Sequence, residues 1–233
     1  MTAASNSKFS RREFVAGVAG ITLAVHSGGR AEPGAIERPN ILFILADDMG
    51  CYGRPDYKTL NLDRLAQQGM RFTNAYSAAP VCTPTRVGLL TGRFPARIPV
   101  GLEEPIYGRK ELGDRAKTIG IPHEHPTLSS LIKGAGYETA LIGKWHLGYL
   151  PDFGPMRYGF DEFFGIMSGA GDYFSHKDPS GAPDLFDGEV PVERVGYTTD
   201  LLTERAVEFV RRPRKKPFYL SLHYTSPHWP WEG

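Results

Sequence analysis

Apolar residues along this chain fall into two patterns. Three runs are short and nearly unbroken: Ile41-Leu42-Phe43-Ile44-Leu45-Ala46, Tyr137 to Gly143, and Pro217 to Tyr224. Runs without alternation suit strands buried on both faces of a parallel sheet. Other apolar residues recur at helical spacing. Leu201, Leu202, Ala206, Phe209 and Val210 mark an amphipathic helix from Thr198 to Val210. Leu62, Leu65 and Ala66 mark a packing helix that Gly69 closes, and Pro126 to Gly136 reads as a short capped helix ending at glycine. Met70 to Tyr76 carries strand-like residues. The alternation predicts an α/β fold: a mixed, mostly parallel central sheet with helices on both faces. Residues 94–126, rich in Pro, Gly and charge, read as a long surface loop, and residues 151–197 as loops and short strands around a pocket mouth.

Composition narrows this little. The 233 residues suffice for one or two domains, and a net charge of +1 leaves no electrostatic footprint for nucleic acid or a membrane surface. The basic turn Arg211 to Lys216 reads as solvated. Residues 1–35 stand outside the fold: Arg11-Arg12 precede Phe14, a modest Gly/Ala-rich apolar run follows, and small residues precede Ala31. That is the shape of a bacterial export signal, and the paired arginines look like the twin-arginine type. It predicts a periplasmic or secreted protein, with the precursor retained in the cytoplasm when both arginines become lysine. The two cysteines, Cys51 and Cys82, could pair in an oxidising compartment, which would consume whatever chemistry Cys82 performs.

Candidate chemistry lies where predicted elements end. Cys82 to Gly92 reads as a helix, with Pro84 in its first turn and Gly92 as its stop. Cys82 then sits at or beside the helix N-terminus, and Arg86, four residues on, shares its face, an arrangement suited to a charged oxyanion. Asp47 and Asp48 follow the first strand, at the edge where open α/β sheets place ligands. They reach one ion only if the chain turns there, which Gly50 and Gly53 allow; otherwise they form a solvated loop. After the second strand, Lys144 and His146 share a face if strand geometry persists. A lysine snorkelling beside a hydrogen-bonded histidine is the alternative there. His223 reads as structural, His123 and His125 as loop surface, and His228 lies between prolines just past the last strand.

The twelve residues Cys82-Thr83-Pro84-Thr85-Arg86-Val87-Gly88-Leu89-Leu90-Thr91-Gly92-Arg93 resemble the signature of the type I sulfatases, in which this cysteine is oxidised to formylglycine. Gly143-Lys144-Trp145-His146-Leu147-Gly148 resembles that family's second signature, and the segment around His228 its third histidine-bearing one. The resemblance implies an alkaline-phosphatase-like fold and hydrolysis of aryl or carbohydrate sulfate esters. It assigns Ca2+ to Asp47, Asp48 and the oxygen derived from Cys82, charge offset to Arg86 and Lys144, and proton movement or donation to sulfate to His146 and His228. The implied partners are a sulfate-ester substrate, a formylglycine-generating maturation enzyme and the twin-arginine export machinery, with no nucleic acid. A formylglycine-dependent phosphonate or phosphodiester hydrolase, a non-catalytic fragment and a disulfide-stapled secreted domain are the alternatives. The resemblance covers residues 39–233 as the N-terminal part only, a truncated form: the family's later Asp-Asn pair and further lysine do not follow His228. Calcium takes about six to eight oxygen ligands, so residues 36–233 are expected to bind it weakly, to aggregate, and to turn over aryl sulfates at background rate.

Overall fold

The computed structural model describes residues 38–50, 58–98, 102 and 105–232. The export segment, Cys51 and Gly53 lie outside the described residues. Six strands form one sheet: β1 (Ile41–Leu45), β2 (Glu138–Gly143), β3 (Glu162–Ile166), β4 (Leu185–Asp187), β5 (Val190–Pro191) and β6 (Phe218–His223). Their spatial order is β1-β6-β2-β3-β4-β5. The first four run parallel, and β4 and β5 add an antiparallel flank. Leu45 and Gly143 both pair with His223, so β1, β2 and β6 end together and whatever follows them converges.

The helices are α1 (Leu60–Gln68), α2 (Cys82–Thr91), α3 (Arg109–Leu112), α4 (Leu128–Gly134) and α5 (Thr198–Arg211). Successive strand residues point to opposite faces, and the core divides accordingly. Leu141, Phe163 and Tyr219 pack with Val87 and Leu90 of α2 and with Trp145. Ala140, Ile142, Phe164 and Leu220 pack with Leu202, Ala206 and Phe209 of α5 on the other side. The mixed, mostly parallel sheet with helices on both faces is as the hydrophobic pattern implies. α4 carries its capping box on Thr127 and Ser130. Its cap also anchors the loop before β3, because the Thr127 and Ser129 hydroxyls both donate to the Tyr158 carbonyl.

Four expectations are corrected. β1 is not buried on both faces: Ile41 and Phe43 join the α2-side core, but Leu42 is 49% and Ile44 51% exposed. The cause is position: among the described strands β1 lies at the edge of the sheet, and α5 packs on β2, β3 and β6. α1 forms where expected, yet buries none of Leu60, Leu62 or Leu65 among the described residues. Residues 70–76 form no strand and are exposed, with no described strand pairing to them. Residues 94–126 are no surface loop: Ile98, Leu102, Ile106, Ile119 and Ile121 are buried in the α2-side core. Their apolar residues are spaced irregularly along short helical turns, so no period betrays them.

Candidate active site

Three strand ends and one helix N-terminus make the site. Cys82 is the first residue of α2, Val81 is its N-cap, and the helix stops at Gly92 in the left-handed region with its amide on the Gly88 carbonyl. Cys82 is in no disulfide among the described residues; Cys51, its partner in the disulfide alternative, lies outside them. Thr83 ties this helix start to two other segments: its hydroxyl donates to the His146 carbonyl (3.1 Å) and accepts from the Ile106 amide (3.0 Å). Asp47, Asp48, Cys82, Thr85 and Arg86 line one cavity of about 460 Å3. The turn that brings the two carboxylates there is made at Asp48 itself, at φ +63°. Aspartate tolerates that left-handed conformation better than most residues.

Asp47 is buried between two cations. Its Oδ2 accepts from Lys144 Nζ at 2.5 Å, and its Oδ1 lies 3.5 Å from Arg86 Nη2. Lys144 and Arg86 are themselves almost wholly buried. Burial pushes both cations below their ordinary pKa, and the Asp47 charge offsets part of that. Two interior cations thus share one interior carboxylate, because Asp48 is 63% exposed. Arg86 is aimed by the backbone: its Nη1 donates to the Lys144 carbonyl (2.9 Å) and to His223 Nδ1 (3.0 Å). His223 then holds its proton on Nε2, 2.7 Å from the Ser221 hydroxyl. Sequence reading left His223 as structural, but its place opposite Arg86 makes it a positioning residue. Gly143 permits this junction: its φ is +117°, and a Cβ there would stand 1.8 Å from the His223 carbonyl oxygen.

Strand geometry does not persist to His146. β2 ends at Gly143, and His146 sits at φ +55°. Lys144 reaches Asp47, whereas the His146 ring turns to the Ile106 carbonyl, to which Nε2 donates at 2.9 Å. Nδ1 is left a buried acceptor with no partner, and Arg86 Nε is a buried donor in the same condition. The ring rests against Gly169, where a Cβ would come within 2.3 Å of Cε1; no periodicity marks that glycine. His228 stands at the rim, with Nε2 3.7 Å from Asp48 Oδ2. The structure therefore gathers Asp47, Asp48, Cys82, Arg86 and Lys144, sets His228 at the edge, and buries His146 behind them.

Charge in this interior makes stability depend on pH. Burial, together with Arg86 and Lys144, pushes His223 down to about 3. Burial, then Lys144, also holds His146 well below its ordinary value. In the unfolded chain both take up protons near about 6.5, so the stability tied to their neutral forms is present above that pH and lost as pH falls. Asp184 opposes them. Burial raises its carboxyl to about 7, although the Ser168 amide and hydroxyl and the Met167 amide donate to it. The folded protein therefore binds one proton early at Asp184 and forgoes two at the histidines. Two histidine protons forgone outweigh one carboxyl proton gained, so stability falls on acidification below about pH 6. Urea midpoints should fall accordingly, and His223→Gln should flatten the slope; a midpoint that rises on acidification would contradict the buried neutral histidines.

No group of three or more His, Cys, Asp or Glu side chains gathers as metal ligands among the described residues. Asp47 and Asp48 nonetheless put hard carboxylate oxygens into one cavity, a donor set that fits calcium better than a soft metal.

Residues 39–233 match the sulfatase family model. The chain belongs to the sulfatase family. It is 35% identical to the N-acetylgalactosamine-6-sulfatase of Sus scrofa, over 90% of this chain and 44% of that one. It is 36% identical to the N-acetylglucosamine-6-O-sulfatase of Bacteroides thetaiotaomicron, over 84% and 32%. Among solved structures, Ps i-CgsB in complex with k-i-k-neocarrahexaose superposes with a TM-score of 0.74 at 33% identity, covering 84% of this chain and 47% of that one. A structure in complex with its substrate D-glucosamine-2-N,6-O-disulfate superposes at 0.65 and 32% identity, over 84% and 36%. These neighbours superpose over most of this chain, so the alkaline-phosphatase-like fold of the sulfatases is this chain's fold. The chain spans less than half the length of these sulfatase-family relatives.

Proposed function

We propose that this sulfatase-family chain hydrolyses sulfate esters, those of carbohydrates first, in the cavity lined by Cys82. One observation carries the reading: Arg86 and Lys144, both buried, share the single buried carboxylate of Asp47 beside Cys82. Burying an excess cation is costly unless an anion joins it, and a sulfate ester brings one negative charge. The sugar preference follows the two relatives, both named for 6-sulfated hexosamines.

Converted to formylglycine and supplied with calcium, the site would gain an oxygen nucleophile and a Lewis acid. Asp47 and Asp48 would hold the ion. Arg86, fixed by the Lys144 carbonyl and His223, keeps its charge directed at the anion and needs no reorganisation as charge develops. Lys144 offsets further charge from behind Asp47. His228 at the rim is the group placed to give a proton to the departing alcohol. His146, neutral with Nδ1 unpartnered, can accept a hydrogen bond but has no proton to give there.

Two carboxylates hold calcium weakly, in the range of about 10⁻⁴–10⁻³ M typical of loose sites. Turnover by the 233-residue chain should therefore lie at background, as expected of so weak a site, and rise only when calcium is raised into that range. The test is a panel of an aryl sulfate, a 6-O-sulfated hexosamine and an aryl phosphodiester, given to protein co-produced with a formylglycine-generating enzyme. Sulfate release that rises with calcium and is lost to a chelator is expected. Preference for the phosphodiester, or release indifferent to calcium, would overturn the reading.

A further inference from the structure

A second cavity, of about 360 Å3, adjoins the first at His228, which lines it together with Tyr173, Tyr197, Trp231 and Glu232. The contact between His228 and Asp48 links the two. The wall is built rather than loose. Tyr173 and Tyr197 stack with ring centroids 5.1 Å apart. The Tyr173 hydroxyl donates to the His228 carbonyl (2.9 Å), and its amide donates to Glu232 Oε2 (2.9 Å). The Tyr197 hydroxyl donates to the Glu232 carbonyl (3.0 Å). Trp231 is pinned by one edge, with Nε1 donating to the Pro227 carbonyl at 3.1 Å, yet remains 82% exposed. A tryptophan fixed at one edge and bare over its face offers a flat apolar platform, and nothing in the hydrophobic core requires it.

We infer that Trp231 is a sugar-binding platform: the pyranose ring of the sulfated saccharide stacks on its indole face while the ester group reaches past His228 to Cys82. This rests on the proposed sulfate-ester reading and names the part of the substrate that the catalytic cavity does not hold. The occupant follows from the chemistry of the wall. The C–H face of a pyranose suits an aromatic plane, and its hydroxyls suit the backbone carbonyls and the carboxylate around it. A second anionic group does not suit it, because Glu232 is there and neither lysine nor arginine lines the cavity among the described residues.

The test uses the full chain with Cys82 left as the thiol. Protection of Cys82 from alkylation, read by peptide mass spectrometry, measures occupancy of the catalytic cavity. Inorganic sulfate should protect, and a 6-O-sulfated N-acetylhexosamine should protect at roughly tenfold lower concentration, the gain typical of one aromatic stack. Trp231→Ala should erase that advantage and leave protection by inorganic sulfate in place, while Trp231→Phe should keep most of it. An equal advantage in Trp231→Ala, or none in the parent chain, would overturn the platform. Tryptophan emission gives a reading independent of sulfate. Of the three tryptophans, Trp145 is buried with Nε1 on the Phe153 carbonyl, whereas Trp229 and Trp231 are exposed. The unsulfated hexosamine should shift emission of the parent chain and not of Trp231→Ala; no shift in the parent counts against the platform. If inorganic sulfate fails to protect Cys82 while this shift is seen, the catalytic reading falls and the sugar platform stands.

Discussion

Cys82→Ala should bring sulfate release to the level of buffer alone, at any calcium concentration. The substitution removes the only atom at the N-terminus of α2 from which the nucleophile can be made, and the loss should be at least about 10³-fold. The fold should be untouched, because Cys82 belongs to neither buried cluster and Thr83 and Thr85, which pin the helix start, remain. The check is sulfate release beside a thermal melt. Release at an undiminished rate with an unchanged melt would place the chemistry elsewhere. A collapse of the melt would show that the thiol is a packing residue. In protein matured in a suitable host, the peptide containing residue 82 should also be lighter than its thiol form, as CH2SH becomes CHO.

Asp47→Asn should be the most destabilising single change at the site. Its carboxylate lies between Lys144 and Arg86, with side-chain exposures of 7%, 0% and 2%. The amide keeps the shape and removes the charge, leaving two interior cations to repel each other. Removing one partner of a buried ionic cluster costs about 3–5 kcal/mol. For a domain of this size that corresponds to a melting point lower by roughly 6–20 °C. Asp48→Asn removes a carboxylate that is mostly in water and should barely move the melt. Sulfate at tens of millimolar should return part of the loss in Asp47→Asn, because an anion in the cavity takes over the counter-charge. An unchanged melt would show that the two cations do not depend on Asp47. Loss without sulfate rescue would show that the cavity does not accept the anion.

What could be read from the residues, and what could not, divides by the distance over which each contact acts. Cys82, Arg86 and Gly92 are related by one helix, so spacing alone placed them correctly. The strands 137–143 and 217–224 are central and covered on both faces, and their unbroken apolar runs say so. β1 has the same kind of run but lies at an edge, a matter of strand order that no local pattern encodes. His223 is the clearest omission. Its partner Arg86 is 137 residues away, and the pairing exists only because β6 inserts between β1 and β2. His146 is a different case: a positive φ turns its ring to the Ile106 carbonyl, and nothing in Lys-Trp-His announces it. The buried stretch between residues 94 and 126 was hidden by its Pro, Gly and charge, which conceal isoleucines that fill the core one at a time.

The insertion of β6 between β1 and β2 has a consequence in time. The Phe218 amide donates to Asn40 Oδ1, 178 residues earlier, so the described sheet cannot close until β6 has been synthesised. Pairings over such separations form late and slowly. At about 5–20 residues per second, the roughly 140 residues from Cys82 to His223 take about 7–28 s to emerge. Through that interval Arg86 has no His223 to aim it, and α2 has no closed sheet to pack on. On the proposed function, Cys82 would then belong to an open nascent chain, and a formylglycine-generating enzyme could take hold of the segment around it. The strand order that conceals His223 from sequence reading would, on that reading, also act as a timer, leaving the cysteine accessible until the sheet around it closes.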